Sequence, residues 1–255
     1  MTAPPRILSI AGSDCSGGAG IQADIKTIAV LGGYAMTAIT AVTAQDTTAV
    51  HAVVPLAPEL VAAQIDGCLG DIGVDAVKIG MLGSAAIAEI VADRLETLAV
   101  PIVFDPVMVA SSGGALADPA TIAAFERLMR VATLTTPNVT ELAALGGDAA
   151  MAARGIAWLA KGGDAVGETV EDRLVLPGAA PVVWREPRIA TRHAHGTGCA
   201  LASAIATYLG AGVALEEAIV RARGFVRAAL LAAPGLGRGQ GPLGHAAAAA
   251  DYRLP

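Results

Sequence analysis

Short, continuously apolar runs alternate along this chain with longer stretches in which apolar residues return every three or four positions. The runs at 6–10, 34–42, 76–79, 102–104, 133–136 and 156–159 predict strands, and the stretches at 21–31, 58–71, 85–98 and 119–130 predict helices. Strands that are apolar throughout and separated by helices fit a mostly parallel sheet covered on both faces, so the expected class is an α/β three-layer sandwich. From 173 to 183 the pattern turns hairpin-like, with Leu174-Val-Leu176 and Pro181-Val-Val-Trp184 on either side of a Pro-Gly turn, and two closing helices follow over 199–209 and 215–231. No Ser- or Pro-rich linker and no repeat interrupts the order, so residues 1–255 read as one domain. Residues 235–255, Gly-rich and then Ala-rich, read as a peripheral C-terminal tail.

Composition narrows the function classes. Hydrophobic residues make up 54% of the chain and charged residues 16%, which excludes disorder and calls for a packed interior. The net charge of −6 and the absence of a Lys/Arg cluster argue against nucleic acid or an anionic membrane as partner. At 3% aromatics the chain lacks stacking platforms for single strands. The uncharged stretches at 27–45 and 193–215 are broken by glycines and threonines, so neither reads as a bilayer span. Three cysteines without CxxC spacing and without a signal peptide fit a reducing cytoplasm.

The candidate chemistry gathers at the ends of the predicted strands. The first strand runs into Ala11-Gly-Ser-Asp-Cys-Ser-Gly-Gly-Ala-Gly20, a Gly-rich turn before a helix that is either a tight turn alone or a ligand-binding edge with exposed N–H groups. GxxxxGK[ST] is absent, so a Walker-type site is not supported. A Gly-x-Gly-x-x-Gly spacing at Gly239, Gly241 and Gly244 contains Pro242 and follows no strand; it reads as chance. In His195-Gly-Thr-Gly-Cys199, Gly196, Thr197 and Gly198 let successive N–H groups converge at a helix N-terminus, an anion hole suited to a transferring phosphoryl group. Cys199 falls in that first turn, where a thiol's pKa is commonly lowered, although a small buried cysteine behind a Gly-rich cap is the other reading. Asp105, Asn138 with Glu141, and Lys161 each follow a strand. Asn138 and Glu141 are spaced either for an N-cap or for Mg²⁺ bound beside nucleotide phosphates, and Lys161 is either an exposed turn lysine or a phosphate ligand. Gln45 either ends a strand or offers a carboxamide to a 4-aminopyrimidine edge, as Gln does to adenine.

With those residues in place the chain resembles hydroxymethylpyrimidine/phosphomethylpyrimidine kinase, the thiamine-pathway branch of the ribokinase-like superfamily. The resemblance runs over 7–231 and is carried by Ile10-Ala-Gly-Ser-Asp14, Ser16-Gly-Gly-Ala-Gly-Ile-Gln-Ala-Asp24, Ala41-Val-Thr-Ala-Gln-Asp46, Lys78-Ile-Gly-Met81, Asp105-Pro-Val-Met-Val-Ala-Ser-Ser-Gly113, Thr136-Pro-Asn138, Lys161-Gly-Gly163 and His195-Gly-Thr-Gly-Cys199. It implies a Rossmann-like, ribokinase-like domain, ATP with Mg²⁺, a homodimer, and Cys199 as catalytic residue at the anion hole. It further implies a pyrimidine beside Gly12, Ala19, Asp24, Val42, Gln45 and Met81. Asn138, Thr197 and Lys161 would serve ATP, and Glu141 and Asp105 the metal. The stretch 146–160 is short for the family, and Asp164 stands where its His is usual. Three functions follow: a kinase acting on hydroxymethylpyrimidine and then on its monophosphate, a pyridoxal kinase, or a pyrimidine-binding module without catalysis. Gln45 favours the first over the second, since pyridoxal has no amino group, and intact Cys199, Lys161 and Glu141 count against the third.

Overall fold

The computed structural model describes residues 3–109, 114 and 116–254. The strands are β1 (Arg6–Asp14), β2 (Tyr34–Gln45), β3 (Val50–Pro55), β4 (Ala76–Ile79), β5 (Ile102–Phe104), β6 (Leu134–Thr135), β7 (Trp158–Ala160), β8 (Thr169–Val175) and β9 (Val182–Pro187). The helices are α1 (Gly20–Val30), α2 (Pro58–Gly67), α3 (Ala85–Leu95), α4 (Pro119–Val131), α5 (Val139–Ala144), α6 (Gly147–Ala153), α7 (Thr197–Gly210), α8 (Leu215–Leu231) and α9 (His245–Ala248). Among the described residues the strands form one sheet in the order β3-β2-β1-β4-β5-β6-β7-β8-β9. Its central strands are parallel, while β3, β8 and β9 pair antiparallel at the two ends.

Strand pleating divides the interior into two cores. Leu8, Ile10, Val77, Ile79 and Phe104 pack with α2, α3, α4 and α6 on one face. Their neighbours Ile7, Ala76, Val103, Leu134 and Leu159 pack with α1, α7, α8 and α9 on the other. The layered α/β architecture expected from the pattern is the one observed. Helix starts follow local chemistry: Ser84 accepts from Ile87 N at the head of α3, and Asp118 from Thr121 N before Pro119 at the head of α4.

Several boundaries differ from the sequence reading. The strands that carry the site are longer than expected, β1 reaching Asp14 and β2 reaching Gln45. The helix expected over 58–71 changes to a wider π turn at Cys68–Ile72. The edge strand β3 and the short α5, α6 and α9 escaped the pattern because edge strands and one-turn helices bury too little to show a period. The uncharged stretch at 193–215 is explained by α7, where every residue from Ala200 to Tyr208 is buried between sheet and α8. Among the described residues no helix is long and apolar enough to cross a membrane.

The tail is not peripheral. Leu243, His245 and Ala248 are buried, Gly244 N donates to Ala229 O at 2.9 Å, and Tyr208 Oη donates to Tyr252 O at 2.5 Å. Leu254 N closes the chain against Leu31 O at 2.9 Å.

Candidate active site

The carboxyl ends of the parallel strands meet the N-terminus of α7 around one cavity of about 390 Å³. Gly196 caps α7 with φ 84°, a left-handed conformation that favours glycine, and a Cβ there would also overlap the carbonyl oxygen of Gly18. No side chain caps this helix; Thr197 N donates to Ala194 O at 3.3 Å and Ala200 N to Gly196 O at 2.8 Å, while the N–H groups of Gly198 and Cys199, on the cavity wall, have no backbone acceptor among the described residues. Gly12, Ala19, Gln45, Met81, Asp105, Asn138, Glu141, Lys161, Gly196, Thr197, Gly198 and Cys199 all lie on the wall. Of the residues the sequence singled out, Asp24 and Val42 do not.

Asp24 is wholly buried on the inner face of α1. Its oxygens accept Lys78 Nζ at 2.8 and 3.0 Å, Ser9 Oγ at 2.6 Å and Ser203 Oγ at 2.8 Å, so no lone pair is left for a ligand. Val42 pairs with Val54 on the outer face of the β2–β3 ribbon and is 48% exposed, because the pleat that turns Thr43 and Gln45 inward turns Val42 outward. An expected strand end at position 42 hid that alternation.

The nucleotide-side candidates are tied to one another. Lys161 Nζ lies 2.5 Å from Asp105 Oδ1 and 3.9 Å from Glu141 Oε2, and Thr136 Oγ1 donates to Asp105 at 3.1 Å. Asn138 and Glu141 form a capping box at the head of α5: Glu141 N donates to Asn138 Oδ1 at 2.9 Å and Asn138 N to Glu141 Oε2 at 2.8 Å. The local capping role is therefore present, and both side chains also border the cavity. Burial pushes the Glu141 carboxyl up to about 7; Lys161 works against the shift and Asp105 adds to it. Burial opposes the charge on Lys161, but Asp105 and Glu141 outweigh it and hold the ammonium above its usual range. Among the described residues no three or more His, Cys, Asp and Glu gather into a metal cage. Two carboxylates beside an uncapped helix N-terminus still suit Mg²⁺, which takes few protein ligands and completes its shell with phosphate and water.

Cys199 reverses its expectation. Burial pushes the thiol up to about 11, Asp24 and Asp105 add to the effect, and Lys78 offsets only part of it. The helix N-terminus is outweighed by burial, with the two carboxylates adding to it.

Two wall residues, Asp14 and His195, were quoted in motifs without being recognised. Asp14 accepts N–H bonds from Ser16 at 2.8 Å, Gly18 at 3.0 Å and Ala19 at 2.8 Å. The Nε2 of His195 lies 3.0 Å from its Oδ2. Burial opposes ionisation of Asp14, but the bonds from His195, Ser16 and Ala19 hold the carboxyl well below its usual range. This pair locks the Gly-rich turn onto the residue before Gly196. An Asp two residues ahead of Ser16 in Asp14-Cys-Ser-Gly-Gly18 was the signal available for it. Of the loop 110–118, residues 110–113 and 115 lie outside the described residues; Leu116 lines the cavity and its N donates to Met108 O at 2.8 Å.

A parallel sheet whose carboxyl edge brings an uncapped helix N-terminus, a lysine and two carboxylates to one cleft is the frame of a ribokinase-like small-molecule kinase. The comparisons make this specific. The chain matches the model of the phosphomethylpyrimidine kinase family over residues 14–244, and it belongs to that family. It is 44% identical over 256 residues to the hydroxymethylpyrimidine/phosphomethylpyrimidine kinase of Streptomyces coelicolor, covering 95% of this chain and 94% of that one. It is also 44% identical to the thiamine biosynthesis bifunctional protein ThiED of Geobacter sulfurreducens, covering 97% of this chain but 53% of that longer protein. The ADP complex of Bacillus subtilis pyridoxal kinase superposes with a TM-score of 0.87 at 34% identity, over 96% of this chain and 98% of that one.

Proposed function

We propose that this chain transfers phosphate from ATP to the hydroxymethyl group of 4-amino-5-hydroxymethyl-2-methylpyrimidine and then to the resulting monophosphate, in thiamine biosynthesis. Family membership and the near full-length Streptomyces relative support the reaction class. The observation that carries the reading is a single cavity with a carboxamide, Gln45, at one end and the α7 N-terminus, Cys199 and Lys161 at the other. Gln45 would pair its amide with the ring nitrogen and amino group of the pyrimidine. Gly12, Ala19 and Met81 would pack on the ring. The N–H groups of the 196–199 turn would hold the transferring phosphoryl group. Lys161 would exchange Asp105 for a nucleotide phosphate, Asn138 and Thr197 would border the nucleotide, and Asp105 and Glu141 would hold Mg²⁺. Bound there, the metal neutralises charge on the phosphates.

A thiol that is neutral at rest suits both transfers. Phosphoryl transfer through a loose transition state relies on positioning, so the alcohol needs little help in losing its proton: the neutral Cys199 thiol would orient the hydroxyl through a hydrogen bond, and the proton would leave to a phosphate oxygen as the new P–O bond forms. In the second transfer the acceptor phosphate is already ionised, with a second pKa of about 6. A carboxylate at 199 would oppose it by on the order of 4 kcal/mol at about 4 Å and an effective dielectric near 20. A neutral thiol adds no such repulsion.

The pyridoxal reading draws on the Bacillus neighbour and is decided in the same assay. ADP release is measured with the aminopyrimidine, its monophosphate and pyridoxal in parallel, for the wild type and Cys199→Asp. The expected result is that both pyrimidines outpace pyridoxal, and that Cys199→Asp keeps part of the first activity while losing most of the second. Pyridoxal outpacing both would overturn the substrate, and equal losses in the two steps would overturn the charge argument.

A further inference from the structure

The Gly-x-Gly-x-x-Gly run at 239–244, dismissed on sequence grounds, is a strap built by close packing. A Cβ on Gly239 would overlap the carbonyl oxygen of Thr47, one on Gly241 the His193 ring and the carbonyl oxygen of Leu236, and one on Gly244 the carbonyl oxygen of Ala232. The strap's backbone is bonded on both sides. Gln240 N donates to Thr47 O at 2.8 Å and Gly239 N to Thr47 Oγ1 at 3.1 Å. On the other side His195 N donates to Gly241 O at 3.2 Å, and Arg192 Nη1 to Arg238 O at 3.1 Å. The strap thus joins the turn just after Gln45 to the segment leading into His195 and Gly196. Its glycines are committed to hugging their neighbours, and the side chain between two of them, Gln240, borders the cavity together with Thr43 and Gln45.

Sheet order says which part of the cavity this is. Thr47 follows β2, and Lys161 follows β7, with β1, β4, β5 and β6 between them. Five strand spacings of about 4.8 Å separate those two ends by roughly 24 Å at the level of the sheet. Gln240 is bonded to the β2 end. We propose that Gln240 contacts the phosphate acceptor and, with Gln45, determines which nitrogen heterocycle the cavity takes. The inference rests on the acceptor site being at the Gln45 end. A carboxamide on the exposed rim supplies one donor and one acceptor to ring substituents that Gln45 does not reach, and loss of one such bond is modest in size.

The test is Gln240→Leu, which keeps the side-chain volume and leaves every backbone bond of the strap in place. With 4-amino-5-hydroxymethyl-2-methylpyrimidine varied at saturating ATP, its KM should rise about 3- to 10-fold. Calorimetric titration of the same pyrimidine without nucleotide should show the same weakening, while KM for ATP stays at the wild-type value. An unchanged acceptor KM overturns the proposal, and so does a rise confined to KM for ATP. Gln45→Leu run beside it separates the causes: if it is impaired while Gln240→Leu is not, Gln240 alone fails, and if both are intact the acceptor assignment of this end fails with it.

Discussion

Two lysine–aspartate pairs lie under the α7 N-terminus, chemically alike and differently enclosed. Lys78 and Asp24 have no exposed side-chain surface, and Ser9 and Ser203 complete the carboxylate's bonds. Lys161 and Asp105 stand on the cavity wall, the lysine 11% exposed, with Glu141 as a second carboxylate 3.9 Å from the ammonium. The first pair is balanced and sealed. The second has one cation against two acids: burial raises Glu141 to about 7, Lys161 offsets only part of that, and Asp105 adds to it. Enclosure makes one pair a structural tie between α1 and the sheet. Access and charge imbalance leave the other open to the cavity, where the proposed function has it exchange partners with a phosphate and its metal.

The largest expected effect comes from breaking the sealed pair. Lys78→Met leaves Asp24 buried without a counter-charge and should lower unfolding free energy by about 3–5 kcal/mol in urea denaturation. A wild-type midpoint would mean that the pair does not tie α1 down. Lys161→Met should do the reverse, losing less stability because its aspartate borders the cavity, while kcat falls by about 10²–10³-fold as a phosphate donor is lost. If the two variants lose stability equally with kcat intact, the contrast between the pairs collapses.

The smallest effect sharpens the comparison through pH. Glu141 has a folded pKa near 7, above the ordinary carboxyl value, so between about 4.3 and 7 the folded chain holds a proton that the unfolded chain releases. Its contribution to stability is therefore full below that window, falls as pH rises through it, and is flat above. Glu141→Gln keeps an acceptor for Asn138 N and removes the titration. It should match the wild type near pH 4 and exceed it at pH 8 by roughly 1–3 kcal/mol in urea midpoints read across pH. Parallel pH profiles for the two proteins would show that Glu141 is already ionised in the fold.

The alternation of apolar runs and helical stretches determined the layered α/β class, and strand-end residues marked most of the cavity wall: Gly12, Gln45, Asp105, Asn138, Lys161 and the turn at 196–199. These were legible because position at a strand's end is a local property, readable from one segment at a time. Which of two neighbouring residues faces a ligand was not. Val42 and Thr43 differ only by the pleat, and Asp24 turned inward because Lys78, 54 residues away, needed a buried counter-charge. The tail lacked any local signal, since a glycine required by the approach of Thr47 looks in sequence like a glycine in a loose end. The charge on Cys199 was decided in the same way. A helix N-terminus is visible in sequence and lowers a thiol's pKa, but the loss of water around the sulfur, reinforced by two carboxylates brought close by tertiary folding, outweighs it. Sequence determines which groups are available and which strand ends carry them; packing decides which meet and how much water they keep, and in a low-dielectric interior those two quantities set their charge.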